Sequence, residues 1–168
     1  MKRCVSIVLA GLLLLTLCGC SSQNTQLKVP VTYYYRTPEP NYGPGASIIT
    51  TEPREAAGHT DDYRFLLEQY LSGPQTNACI SPFPAGISLE ELNIESNKVQ
   101  IILSPHLAVL SGAELMVACA CLYKTIVGMT GIDTVEIRAE HSLLNGKESI
   151  TLNDYNFSYW DTDPPVSP

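Results

Sequence analysis

Residues 111–131 have the sequence SGAELMVACACLYKTIVGMTG, which predicts one long and unusually apolar helix. Ser111 and Glu114 have the spacing of a capping box, in which each side chain can accept a hydrogen bond from the backbone N–H of the other residue. Gly128 and Gly131 favour the end of a helix. We therefore expect a helix from about residue 113 to residue 127.

Both sides of this predicted helix are apolar. One side carries four residues with the spacing of a core face: Leu115, Cys119, Leu122 and Ile126. The other side carries one charged residue among three small or apolar ones: Val117, Ala120, Cys121 and Lys124. Because an exposed apolar face is costly in a soluble domain, this second side should be covered. The cover is either a partner protein or second copy bound to these four residues, or the chain's own C-terminal segment with Tyr155, Phe157 and Trp160.

Residues 60–74 predict a shorter amphipathic helix. Thr60 is suited to its N-cap, and Asp61 and Asp62 follow near the positive end of the helix dipole. Arg64 and Glu68 are spaced for an ion pair on the exposed side. A Gly-Pro pair then stops the helix. The apolar positions repeat with the helical period: Tyr63, Leu66, Leu67, Tyr70 and Leu71.

The remaining apolar segments favour strands, because they are rich in β-branched and aromatic residues. They comprise residues 31–36, 46–52, 89–94, 99–103, 134–139 and, after the turn dipeptide Asn145-Gly146, residues 149–152. The predicted order is β-β-α-β-β-α-β followed by a C-terminal hairpin strand. This order indicates an α+β fold, a compact two-layer sandwich in which a small sheet is packed by two helices.

The N-terminus has the pattern of a bacterial lipoprotein signal. Lys2 and Arg3 precede an apolar run of 13 residues, 5–17, whereas a membrane-spanning helix needs about 20. The run ends in Leu17-Cys18-Gly19-Cys20, which resembles a lipobox with Cys20 as the lipidated residue. The expected division is a signal peptide over 1–19, a lipidated tether over 20–29, a domain over 30–160 and a proline-rich tail over 161–168. An uncleaved short membrane helix with incidental cysteines is the alternative.

Composition restricts the function further. The 168 residues suffice for one ordinary domain, and 45% hydrophobic with 16% charged residues is typical of a globular chain. The formal charge of −7 becomes −9 when Lys2 and Arg3 are removed with the signal peptide. Such an acidic chain has little attraction for nucleic acid. From the lipoprotein signal we expect an extracytoplasmic protein on the outer face of the cytoplasmic membrane.

The cysteines outside the signal and lipid site give no metal signature. Cys119 and Cys121 lie two apart on a helix and face away from each other, which prevents a disulfide between them. Cys79 can pair with one of them, or all three can be buried free thiols. No ligand spacing accompanies them, so we expect neither a metal nor a cofactor.

The sequence favours a protein without catalytic activity, since it contains none of the common nucleophile, zinc-protease or phosphate-binding motifs. Ser104 and Ser111 are explained by turn and cap chemistry. A glycosidase pair would need two carboxylates about 5 to 10 Å apart across a cleft, and the candidates are adjacent acids of the kind that is usually solvated: Asp61, Asp62, Glu90 and Glu91. The histidines are expected at the surface or as caps: His59, His106 and His141.

Several short fragments together resemble the GerM-type sporulation and spore germination domain, GerMN. In chain order they are residues 31–35, 51–55, 71–74, 81–86, 99–104, 110–114 and 131–137, so that the resemblance covers about residues 30–146. Two features depart from the family pattern: residues 139–144 lengthen the ending, and one domain is present where the best-known relative has two. The resemblance implies a membrane-tethered α/β domain similar to ring-building domains, which acts by assembly with envelope proteins or with itself.

Three functions follow from these observations. The first is a non-enzymatic lipoprotein that docks on other extracytoplasmic proteins, in a sporulation or germination complex. The second is a peptidoglycan or glycan binding module that uses the aromatic rings of Tyr33, Tyr34 and Tyr35. The third is a wall hydrolase.

Overall fold

The computed structural model describes residues 30–40, 47–56 and 58–161, with the side chains of 158–161 excepted. Its strands are β1 (Pro30–Arg36), β2 (Ile49–Glu55), β3 (Leu89–Ile94), β4 (Val99–Leu103), β5 (Val135–Ala139) and β6 (Ile150–Leu152). Its helices are α1 (Tyr63–Leu71), α2 (Gly112–Thr130) and α3 (Asp154–Asp161), with a 3-10 turn over Pro105–Val109. The predicted α+β class and order of elements are confirmed. The 3-10 turn and α3 are additional.

The strands form two sheets, whereas the sequence predicted one small sheet. Strands β1 and β2 make an antiparallel hairpin. The other four strands form a sheet in the order β3-β4-β5-β6. Within it β4 and β5 are parallel, because α2 connects them as a crossover helix. The two-stranded sheet is thus a separate element rather than an extension of the larger sheet.

Helix α2 contacts both β1 and β5. The predicted core side is confirmed, because Leu115, Cys119, Leu122 and Ile126 are all buried in the hydrophobic core. On another side, the backbone N–H of Tyr34 in β1 donates to Thr125 Oγ1 at 3.0 Å. Strand β1 therefore covers the helix, a third arrangement beside the two that the sequence suggested. By length and composition alone α2 could cross a membrane, but these contacts make it a core helix.

The helix ends differ from prediction in two details. Asp62 rather than Thr60 caps α1, since its Oδ1 accepts from the Phe65 N–H at 3.0 Å. Ser111 is the N-cap of α2, yet its side chain makes no capping hydrogen bond, so the predicted capping box is wrong. The turn at Asn145-Gly146 is confirmed, with φ angles of 48° and 78° that match a type I′ turn.

The C-terminal helix α3 packs against α2. This is one of the two predicted covers, the chain's own C-terminal segment. The Phe157 ring stacks on the Tyr123 ring with centroids 4.7 Å apart. Tyr123 Oη donates to Asp154 Oδ1 at 2.8 Å, which ties the two helices together. Tyr155 is 77% exposed, so little of its surface is buried in this cover. The Trp160 side chain lies outside the described residues.

Candidate interaction site

The predicted contact residues on α2 fall into two environments. Val117, Ala120 and Lys124 are half-buried. Cys121 is fully buried within the chain, so its prediction as a partner-contact residue is wrong. Its neighbours by helical spacing, Ala118 and Thr125, are also fully buried, and Thr125 faces β1. Burial raises the pKa of the Cys121 thiol to about 12. The thiol is therefore protonated and inaccessible to a partner.

Lys124 lies between two aromatic rings from distant parts of the chain. Its Nζ is 5.1 Å from the Phe157 ring centroid and 6.0 Å from that of Tyr34. These separations suit cation–π contacts. Helix α3 and strand β1 therefore reduce the exposed area of the stripe formed by Val117, Ala120 and Lys124. Part of each of these three residues remains exposed.

The β1 tyrosines do not form an exposed platform. Tyr33 and Tyr35 are 2% and 0% exposed, and their rings pack against the Tyr70 ring at 5.6 and 5.0 Å. Tyr33 Oη donates to the Leu66 carbonyl and Tyr35 Oη to the Tyr70 carbonyl, both at 3.0 Å. Of the three, Tyr34 alone is partly exposed. The glycan-stacking hypothesis therefore loses two of its three rings to the core.

Glu52 and Arg54 form a buried ion pair that fastens β2 to the loop after α1. Glu52 is 4% exposed, and its carboxylate accepts from the backbone N–H groups of Gln75 and Thr76 at 3.1 and 2.9 Å. Arg54 donates to this carboxylate and to the Gly73 carbonyl. Burial tends to raise the pKa of Glu52, but these hydrogen bonds, led by that from Gln75, outweigh it and lower the pKa. The pair has a structural role.

Of the side chains considered for catalysis, Ser104 is buried and hydrogen-bonded within the fold, and the others are exposed. Ser104 is 4% exposed, and its Oγ accepts from the Ser88 N–H at 3.1 Å and lies 3.3 Å from His106 Nδ1. His59 is exposed and stacks on the Phe65 ring. The other candidates are exposed acids, a helix cap and two histidines: Asp61, Asp62, Glu90, Glu91, Ser111, His106 and His141. Among the described residues no three metal-ligating side chains form a group.

The three described cysteines, Cys79, Cys119 and Cys121, are buried and free. Of the two predicted alternatives, a disulfide to Cys79 or three buried free thiols, the structure therefore contains the second. Cys20, the predicted lipid attachment residue, lies outside the described residues, as do the predicted signal peptide, the predicted tether and residues 162–168.

An open cleft of about 610 Å³ lies between the start of α1 and strand β3. Asp61, Asp62 and Arg64 line it on the helix side, and Leu92 and Ile94 line it on the strand side. Leu92 is half-buried and Ile94 is 37% exposed. The sequence predicted each of these elements, but the cleft depends on how α1 packs against β3.

The fold defines the class of protein as a mixed α+β domain with two sheets and helices. The chain belongs to the Germane family, described as sporulation and spore germination, whose model matches residues 23–144. The predicted resemblance to a GerM-type domain is thus confirmed. A search of curated proteins gives no significant match.

Two solved structures are similar to this chain. The tandem GerMN domains of the sporulation protein GerM from Bacillus subtilis match with a TM-score of 0.53 and 13% identity, over 74% of this chain and 45% of that one. The chain therefore spans about half the length of that tandem protein. A Clostridium perfringens chain, provisionally assigned as a lipoprotein, matches with a TM-score of 0.49 and 16% identity, over 76% of this chain and 89% of that one.

Proposed function

We propose that this chain is a non-enzymatic envelope lipoprotein whose domain assembles with other extracytoplasmic proteins in sporulation or germination. The family match over residues 23–144 carries the proposal. The use of buried polar residues supports it, because the Glu52–Arg54 pair and Ser104 serve the fold rather than a reaction. Val117, Ala120 and Lys124 remain the contact residues on α2 in this proposal, without Cys121.

Lipid attachment at Cys20 places the domain on the outer face of the cytoplasmic membrane. Its support is the apolar run of 13 residues followed by the lipobox-like Leu17-Cys18-Gly19-Cys20. Cys20→Ser should release the protein from membranes or leave an unprocessed precursor, since the thioether to diacylglycerol needs a thiol. Cys18→Ser is the matched control and should be processed and retained. Membrane fractionation with unchanged retention and processing of Cys20→Ser would refute the lipid site.

Assembly is tested separately from anchoring. Chemical cross-linking in intact cells should give discrete heavier species that contain the chain, and Val117→Arg should reduce them if the α2 stripe is in contact. The purified chain should give no clearing band on a peptidoglycan zymogram. A clearing band, or the absence of any cross-linked species under sporulating and germinating conditions, would contradict the proposed function.

A further inference from the structure

Most sheet edges in the described part of the fold are closed. At the outer edge of β2, Ser47 hydrogen-bonds both backbone groups of Ile49, and Pro53 has no N–H to offer. At the edge of β6, Asn156 Nδ2 donates to the Thr151 carbonyl at 2.9 Å. At the edge of β1, Thr125 Oγ1 accepts a hydrogen bond from the Tyr34 N–H. Closed edges of this kind prevent the addition of a further strand.

Strand β3 is different at its C-terminal half. The Glu95 N–H donates to the Lys98 carbonyl at 2.9 Å, which places Glu95, Asn93 and Glu91 at the hydrogen-bonded positions of the β3–β4 ladder. In an antiparallel ladder the intervening residues turn their backbone groups away from the partner strand. Leu92 and Ile94 therefore direct their N–H and C=O groups to the open side. Within the described residues, none of these four groups has a hydrogen-bond partner.

The open edge borders the cleft that begins at α1. Arg64 closes the first part of the edge, because its Nη2 donates to the Glu90 carbonyl at 3.3 Å. Beyond that point Leu92 and Ile94 line the cleft. Their cross-strand partners, Ile101 and Val99, are fully buried, so the side chains of Leu92 and Ile94 lie on the core face of the sheet. A strand added here would extend both the ladder and the apolar face.

The charge around the cleft restricts what can bind. Asp61 and Asp62 line it and are exposed, and Glu91 and Glu95 are exposed on or beside β3. The one arginine of the lining, Arg64, already pairs with Glu68 at 3.3 Å. A ligand with positive side chains would be attracted, and an acidic one repelled.

We propose that this cleft binds an extended, lysine- or arginine-rich segment of a partner protein, which adds to β3 as a short strand through the backbone groups of Leu92 and Ile94. The inference deepens the proposed function, on which it rests, by naming a surface and the chemistry of its partner. A second copy of this chain is disfavoured as the occupant, because pairing two β3 edges would bring the same exposed acids together.

The test uses the full chain, isolated in detergent, and a blocked peptide of alternating lysine and valine. Titration followed by NMR should move the amide signals of Leu92 and Ile94 first. The same peptide with alternate backbone nitrogens methylated cannot complete the ladder, and should bind about tenfold more weakly or not at all. A peptide of alternating glutamate and valine should not bind.

Variants of the protein address the same contacts from the other side. Ile94→Pro removes an N–H that points away from β4, so it should weaken peptide binding about threefold to tenfold while the fold survives. Ile94→Val keeps the N–H and is the matched control. If Ile94→Pro does not fold, Asp61→Asn and Glu95→Gln each test the charge, with an expected loss of about twofold to fivefold that shrinks at high salt.

Each result of these experiments supports or contradicts a stated part of the proposal. No binding of the lysine–valine peptide, or binding that is indifferent to N-methylation, overturns strand addition. Equal binding of the glutamate–valine peptide overturns the charge of the occupant. A dimer that Ile94→Pro dissociates, or amides of Leu92 and Ile94 already protected by the segment before residue 30, overturns the choice of occupant. If the peptide test fails while cross-linking in cells succeeds, this inference alone is wrong; the reverse result refutes the proposed function.

Discussion

Helices α1 and α2 are held in the fold by different means. Helix α1 buries one apolar side, exposes the Arg64–Glu68 pair, and is fastened by polar contacts such as the Asp62 cap and the bond from Arg54 to the Gln69 carbonyl. Helix α2 is buried on more than one side and has a single basic residue, which two aromatic rings flank. The distribution of charge on a helix thus indicates how many of its sides are covered.

The largest effect should come from a charge placed on the covered side of α2. Ala118 is 0% exposed, so Ala118→Arg should cost more than about 4 kcal/mol of unfolding free energy or prevent folding, because it buries an unpaired charge. Val117→Arg, one residue earlier and half-exposed, should cost about 1 kcal/mol or less. Urea unfolding measures both. Equal large losses would mean that the Val117 stripe is also covered within the chain.

The next largest effect concerns the buried ion pair between Glu52 and Arg54, which holds the end of α1 against β2. Arg54→Met should cost about 3–5 kcal/mol, because it leaves the buried Glu52 carboxylate without its cation. Arg64→Met is the control: its pair with Glu68 is about half exposed, and its loss should cost about 0.5 kcal/mol or less. A small loss for Arg54→Met in thermal or urea unfolding would show that the pair does not hold α1 in place.

The smallest effect concerns the cap of α1 and distinguishes two neighbouring residues. Asp62→Ala should cost about 1 kcal/mol, because the Phe65 N–H loses its acceptor. Thr60→Ala should be nearly neutral, since Thr60 is exposed and lies outside the helix. The reverse ranking in unfolding experiments would favour the cap that the sequence suggested.

The order of strands and helices could be predicted because it depends on local periodicity. The cover of α2 by strand β1 could not, because Tyr34 and Thr125 meet across 91 residues of sequence. Nothing in the sequence of this apolar helix indicates that Thr125 accepts a hydrogen bond from another element. The fragments 51–55 and 71–74 were noticed for their resemblance to a family, and the structure shows their physical connection: Arg54 in the first donates to the Gly73 carbonyl in the second.

The candidate site was less predictable than the fold. Burial of Cys121 follows from the position of β1, which the helix sequence does not specify. The edge of β3 is distinguished from the other edges only once Ser47, Asn156 and Thr125, which belong to a loop and two helices, are seen to bond those edges. An open edge is a property of the assembled fold, whereas a helix cap or a turn is a property of a few neighbouring residues.

The central claim, that the domain acts by binding another envelope protein, is tested most directly by site-specific photo-cross-linking in intact cells. A photoreactive residue at Ile94 probes the open edge of β3. One at Thr51 probes the edge of β2, which Ser47 and Pro53 close on either side of this exposed position. We expect a discrete covalent product from Ile94 and none from Thr51. No product from Ile94 or from Val117 on α2, or equal products from Ile94 and Thr51, would contradict the claim.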